Sequence, residues 1–190
     1  RSRKKFRLWD DCFSFPDILV HVERNYAIEV GFLDEEGKIV YCEAIRLEKL
    51  KDIFVKAANI KKHVEWINSH HNIKAIYIEE PLMSFSTGMS SAKTISTLMR
   101  FNGIVSWICC DIIGIDPQFV SAATARKMYG IKLEKGRKAK EVVFEQVLDR
   151  EPDFKVEYTA HQNPVPGSMD RSDSFIIAKA GYSLWKSLKS

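Results

Sequence analysis

Apolar and polar positions alternate near the start of the chain and then change period. Asp17–Val22, DILVHV, and Tyr26–Leu33, YAIEVGFL, read as strands. Asp34-Glu35-Glu36-Gly37 reads as a hairpin turn, and Lys38–Leu47 returns as a third strand. A helical period follows over Lys49 to Ser69, with Leu50, Ile53, Phe54, Ala57, Val64 and Ile67 on one side. Ala75-Ile76-Tyr77-Ile78 is a short continuous apolar run, the mark of a buried strand, and ends on Glu79 and Glu80. Pro81 forbids further pairing there. From about Ser91 apolar residues recur at helical spacing (Ile95, Leu98, Met99, Val105, Ile108, Cys109) until Gly114. Pro117–Ser121 supplies a fifth strand, Thr124–Tyr129 a short helix closed by Gly130, and Lys132 to Lys140 a basic loop. The next helix carries Val143, Phe144, Val147 and Leu148. Pro152 to Gly167 holds three prolines and reads as a long exposed loop. Asp170 to Leu188 is the last helix, with Ile177, Gly181, Leu184 and Leu188 on one face.

A hairpin sheet extended by strands that alternate with helices predicts a mixed α/β sheet covered by helices. The predicted division is a basic and aromatic arm over residues 1–16 and a single domain over 17–190. The arm, RSRKKFRLWDDCFSFP, begins with five basic residues among seven. It reads either as a flexible tail or as an arm lying on phosphates, anchored by Phe6 and Trp9. At 190 residues the chain can bury a sizeable core, and with 45% apolar residues it has no run long enough to span a membrane. Its net charge of +4 mildly favours an anionic partner. The four cysteines show no CxxC spacing, and Cys109 and Cys110 fall in an apolar helix, so reduced thiols are expected rather than a zinc site or disulfides. The chain opens on Arg1 rather than Met, as expected of a processed product such as one that has lost an organelle presequence.

Acidic residues at element ends are the candidate chemistry. A carboxylate where a buried strand meets a loop is costly unless a charge meets it there, which singles out Glu79. Asp170 and Asp173, three apart at a helix start, share a face; in a first turn such acids also complement the helix dipole with no further role. Chemistry in sheets of this kind gathers at strand ends, where these acids converge if the fold brings them together. Arg126 and Lys127, and then Arg137, Lys138 and Lys140, flank that end; a charge run of this kind is otherwise a solvated face. His161, in the loop before Asp170, is a candidate for proton transfer or simply a solvated residue.

The segments IEEP, SSAKTISTLMRFNG, TARKMYG, GRKAKE and DRSDSFIIAKAGY, in that order, resemble the RuvC-type Holliday junction resolvases, particularly divergent phage-like members. The likeness runs from about Tyr26 to Tyr182. It implies the RNase H-like fold: a five-stranded mixed sheet, its first three strands antiparallel, flanked by helices. It also implies two Mg²⁺ ions held by four carboxylates, with Glu79 matching the second and Asp170 and Asp173 the last two. Two metal ions activate a water and stabilise the leaving oxygen of a phosphodiester. On the family's pattern Arg137, Lys138 and Lys140 face nucleic acid, and Arg126 and Lys127, which follow a strand end, are further candidates for binding it.

The first acid of the family, an Asp near the end of strand one, has no counterpart in ILVHVERN. Its place falls at Val20, Val22 or Glu23; Glu23 is the possible substitute, and Asp17 lies too early. Arg24 and Asn25, in the first turn, are candidate phosphate contacts. Three readings follow. One is a cleavage-impaired, nucleic-acid-binding pseudoenzyme, a structural subunit of an organelle RNA–protein assembly such as a mitochondrial ribosome. The second is an active Mg²⁺-dependent endonuclease resolving branched DNA. The third is a protein-binding domain that shares only the fold. The expected partners are branched DNA or structured RNA, with a second copy of the chain or neighbouring subunits of an assembly. The expected location is mitochondrial or another organelle matrix, or else cytoplasmic or nuclear.

Overall fold

The computed structural model describes residues 17–22, 28–34, 36–47, 49–81 and 92–189. The arm at 1–16 and the candidates Glu23, Arg24 and Asn25 lie outside these residues. Three strands open the fold: β1 (Asp17–Val22), β2 (Ile28–Leu33) and β3 (Ile39–Ile45). Helix α1 (Ile53–His70) leads to β4 (Ala75–Glu79), α2 (Ala92–Ile113) and β5 (Gln118–Val120). Helices α3 (Ala122–Tyr129), α4 (Ala139–Arg150) and α5 (Ser168–Ser187) complete the chain. The strands form one sheet in the order β3-β2-β1-β4-β5. The pairs β1–β2 and β2–β3 are antiparallel, and β1–β4 and β4–β5 are parallel.

Strand β4 lies inside the sheet and is buried on both faces, as its unbroken apolar run requires. Ile76 and Ile78 pack with Ile60, Val64, Phe101 and Val105 of α1 and α2. Ala75 and Tyr77 pack on the opposite face with Phe175, Ile176 and Ala180 of α5, together with α3 and α4. Burying each isoleucine of β4 contributes about 1.5–3 kcal/mol relative to exposure. Gly181 brings α5 onto the strand: a Cβ there would meet the Tyr77 ring at 2.5 Å. Glycine weakens a helix interior by about 1 kcal/mol relative to alanine, and here it admits a large aromatic ring in return.

Element ends follow capping more closely than periodicity. Helix α1 starts later than the pattern predicts because Asp52 Oδ1 accepts the Phe54 and Val55 N–H groups at 2.8 and 3.0 Å. Ser121, expected in the fifth strand, instead caps α3, its Oγ accepting the Thr124 N–H at 3.1 Å. Gly130 closes α3 in the left-handed region at φ 73°.

Three side-chain expectations are corrected. Phe54 is 73% exposed, because it sits about 200° around α1 from Lys56 on the buried stripe Lys56, Ile60, Val64 and Ile67. Leu188 lies just beyond α5 and is exposed, and Met99 falls on the outer side of α2. The 152–167 segment is irregular but not wholly exposed. Phe154 is buried against Phe175, and Tyr158 bridges to Pro164. Cys109 is buried in α2 and Cys110 half-buried, both free. Burial pushes the Cys109 thiol up to about 12, with Cys110 adding to the shift. No helix among the described residues is long and apolar enough to cross a membrane.

Candidate acidic site and its cations

Glu79 closes β4 where the strand leaves the sheet. Its carbonyl accepts the Asn102 side-chain N–H at 3.0 Å, and the Glu80 N–H donates to the Val120 carbonyl at 3.0 Å. These bonds fix the strand end against α2 and β5. Alternation along the strand puts position 79 on the side of Ala75 and Tyr77, which α5 covers.

The backbone register sets Leu19 level with Tyr77 and Val20 level with Ile78. Glu23 lies outside the described residues.

Helix α5 brings the other two acids. Gly167 precedes it with φ at 92°, Asp170 lies in its first turn, and Asp173, one turn on, is 9% exposed. A carboxylate this buried needs a nearby positive charge. Arg126, on α3, places Nη2 at 3.9 Å from Asp173 Oδ1. Lys140, on α4, forms an ion pair with Asp170. Each of the two helices packed on α5 thus delivers one cation to one acid. Among the described residues, no three His, Cys, Asp or Glu side chains form a group able to hold a metal ion. Both acids on α5 thus face cations supplied by the chain.

The remaining basic candidates divide by partner. Arg137 binds Glu145 at 2.5 Å and Glu134 at 3.3 Å, and the bond to Arg137 holds the Glu145 carboxyl below its ordinary range. Lys138 reaches Glu141 at 3.3 Å from a largely exposed position. Lys127 is exposed on α3, as are Lys132 and Lys135 in the loop before α4, and none of the three makes an ion pair with a described residue. His161 is exposed. Lys132 and Lys135 lay unremarked within the basic loop. Nothing in the sequence set them apart from Arg137 and Lys138, whose glutamate partners only the fold brings near. Asn102 was also missed, although a polar residue among the apolar positions of α2 marked it.

A sheet ordered 3-2-1-4-5, its first strands antiparallel and its helices on both faces, defines a mixed α/β fold. Solved structures that match include RuvC and a yeast mitochondrial resolvase. A Thermus thermophilus RuvC structure matches with a TM-score of 0.60 and 13% identity, over 90% of this chain and 96% of that one. T. thermophilus RuvC in complex with a Holliday junction substrate matches with 0.60 and 10%, over 92% and 96%. The yeast mitochondrial Holliday junction resolvase Ydc2 matches with 0.57 and 13%, over 93% and 82%. At these identities the likeness establishes the RuvC-like fold. A polypeptide deformylase family model matches residues 1–49 of the 190. The described strands in that stretch are not a unit of their own, since Asp17–Val20 of β1 pair with Ala75–Ile78 of β4. No curated protein matches the sequence.

Proposed function

We propose that the chain is a nucleic-acid-binding protein on a RuvC-like fold whose acidic site is cleavage-impaired. The observation that carries the reading is the pairing of Asp173 with Arg126 and of Asp170 with Lys140, beside the exposed Lys127, Lys132 and Lys135. Acids held by internal cations are poor ligands for a catalytic metal, while lysines with no ion pair to a described residue are available to phosphates. The ligand class is branched DNA or structured RNA, supported by the Holliday junction substrate bound to one of the matching RuvC structures. If structured RNA competes best, the reading becomes that of a structural subunit of an organelle RNA–protein assembly. The mitochondrial resolvase among the matches supports an organelle location.

The test measures anisotropy of a labelled four-way DNA junction and of structured RNA across a salt series. Lys127→Gln, Lys132→Gln and Lys135→Gln together should reduce the slope of log affinity against log salt by about 2.7 on duplex arms, about 0.9 per lost phosphate contact. An unchanged slope would place the binding surface elsewhere. The second reading, a Mg²⁺-dependent endonuclease using Glu79, Asp170, Asp173 and Glu23, takes over if the unmodified chain nicks junctions in Mg²⁺ and Glu79→Gln and Asp173→Asn both lose that activity.

A second copy of the chain is the proposed protein partner. Met99 and Trp107 lie on the outer side of α2, four residues either side of the exposed Gly103. Exposed Lys93 and Arg100 precede that centre and exposed Asp111 follows it, so an antiparallel copy sets opposite charges against each other. Sedimentation should show a dimer that Trp107→Lys dissociates; a monomeric unmodified chain would remove the proposal.

A further inference from the structure

We infer that α4 holds the loop at 131–138 in one preformed arrangement, with Gln146 and Arg137 as positioning residues that present Lys132 and Lys135 to nucleic acid. The inference rests on the nucleic-acid reading above and names the residues that shape its surface. At the start of the loop the Gln146 side-chain amide takes both hydrogen-bonding groups of one backbone residue. Its Oε1 accepts the Lys132 N–H at 3.2 Å, and its Nε2 donates to the Lys132 carbonyl at 2.9 Å. Arg150, one turn further along α4, donates to the same Oε1 at 2.9 Å and to the Tyr129 and Gly130 carbonyls at 2.9 and 3.3 Å. The amide is thereby locked, its oxygen turned to two donors and its nitrogen to an acceptor. The end of α3, the start of the loop and α4 form one hydrogen-bonded unit.

A second pin holds the other end. Arg137 donates to Glu145 of α4 and, within the loop, to Glu134 at 3.3 Å. The Arg137 N–H also closes a turn on the Glu134 carbonyl at 3.3 Å. Glu145 and Gln146 are neighbours on α4, so one short stretch of that helix grips the loop at both 132 and 137. Lys132 gives only its backbone to this grip, and Lys135 lies between the pins. Both lysines are exposed and make no ion pair with a described residue. On the family's pattern Arg137 faces nucleic acid, but its guanidinium is taken by two carboxylates of the chain, which makes it a brace. A loop already ordered binds without the entropy loss that fixing a flexible one carries. A salt series separates the two kinds of contribution. Losing a phosphate contact lowers the slope of log affinity against log salt by about 0.9. Losing a pin leaves the same charges to make the same contacts, so affinity falls by one factor at every salt and the slope stays.

The experiment compares the unmodified chain with Gln146→Leu, which removes the amide while keeping charge and helix propensity. Affinity for a labelled four-way DNA junction is measured over a salt series. Hydrogen exchange across 131–138 is followed by mass spectrometry without nucleic acid. Gln146→Leu should bind about tenfold more weakly at every salt, with the parent's slope, and its loop should exchange faster. Should that variant fail to fold, Glu145→Ala removes the other anchor from an exposed position and should also speed exchange in the loop. Parental affinity in Gln146→Leu, while Lys127→Gln/Lys132→Gln/Lys135→Gln lowers the slope, would overturn the inference and leave the nucleic-acid reading standing. So would loop exchange at the parent's rate in whichever pin variant folds, or a slope that Gln146→Leu lowers by about 0.9 or more. An unchanged slope in the triple-lysine variant would sink the underlying reading and this inference together.

Discussion

A buried aspartate is stable only next to something that answers its charge, and Asp173 has Arg126. Replacing Arg126 with Met should destabilise the fold by about 3 kcal/mol, because the carboxylate left behind stays buried. Adding Asp173→Asn to that variant should recover much of the loss, and urea unfolding of the four proteins in the cycle measures the coupling. Gly181 offers a second residue-scale test. Alanine there would drive a Cβ into the Tyr77 ring, so Gly181→Ala should cost about 1–3 kcal/mol despite its better helix propensity. A variant as stable as the parent would mean that α5 shifts freely on β4.

Among elements, the α3–α4–α5 side is tied together by Glu151, just past α4. Its carboxylate accepts the Tyr129 hydroxyl at 3.0 Å and pairs with Lys179 of α5 at 3.1 Å. Burial first, then the Glu151 charge, holds the Tyr129 phenol neutral well above its ordinary range. The unfolded chain releases that proton earlier as pH rises, near an ordinary tyrosine pKa of about 10. Stability from this group is therefore complete below about pH 10 and is lost as pH climbs through the higher folded value. Tyr129→Phe should flatten the alkaline limb of a stability–pH curve; an unchanged limb would assign the effect to other groups. At the opposite side of the sheet, Asp52→Ala should cost about 1 kcal/mol by leaving two N–H groups of α1 without their cap. Denaturant melts read this directly.

At the scale of the whole molecule, the sequence was most legible where one physical rule dominates. The apolar run of Ala75–Ile78 marked a strand buried on both faces, and Gly114 and Gly130 marked the ends of α2 and α3, where both glycines adopt positive φ. Legibility failed where packing decides. Phe54 looked like a core residue until the cap at Asp52 set the phase of α1, and Phe154 lay hidden in a stretch whose prolines suggested only an exposed loop. The acids were legible as residues but not by their partners. Arg126 and Lys140 stand 47 and 30 positions before Asp173 and Asp170, and only the packing of α3 and α4 on α5 joins them.

Central to the proposed function is that this RuvC-like fold binds nucleic acid without depending on a bound metal ion. The most direct measurement titrates the unmodified chain against a labelled four-way DNA junction in EDTA and again in Mg²⁺, over a salt series, with the products resolved afterwards on a denaturing gel. The predicted result is salt-sensitive binding of equal strength in both buffers once ionic strength is matched, with the junction strands intact. Binding that appears only in Mg²⁺, or strands cut in Mg²⁺, would contradict it.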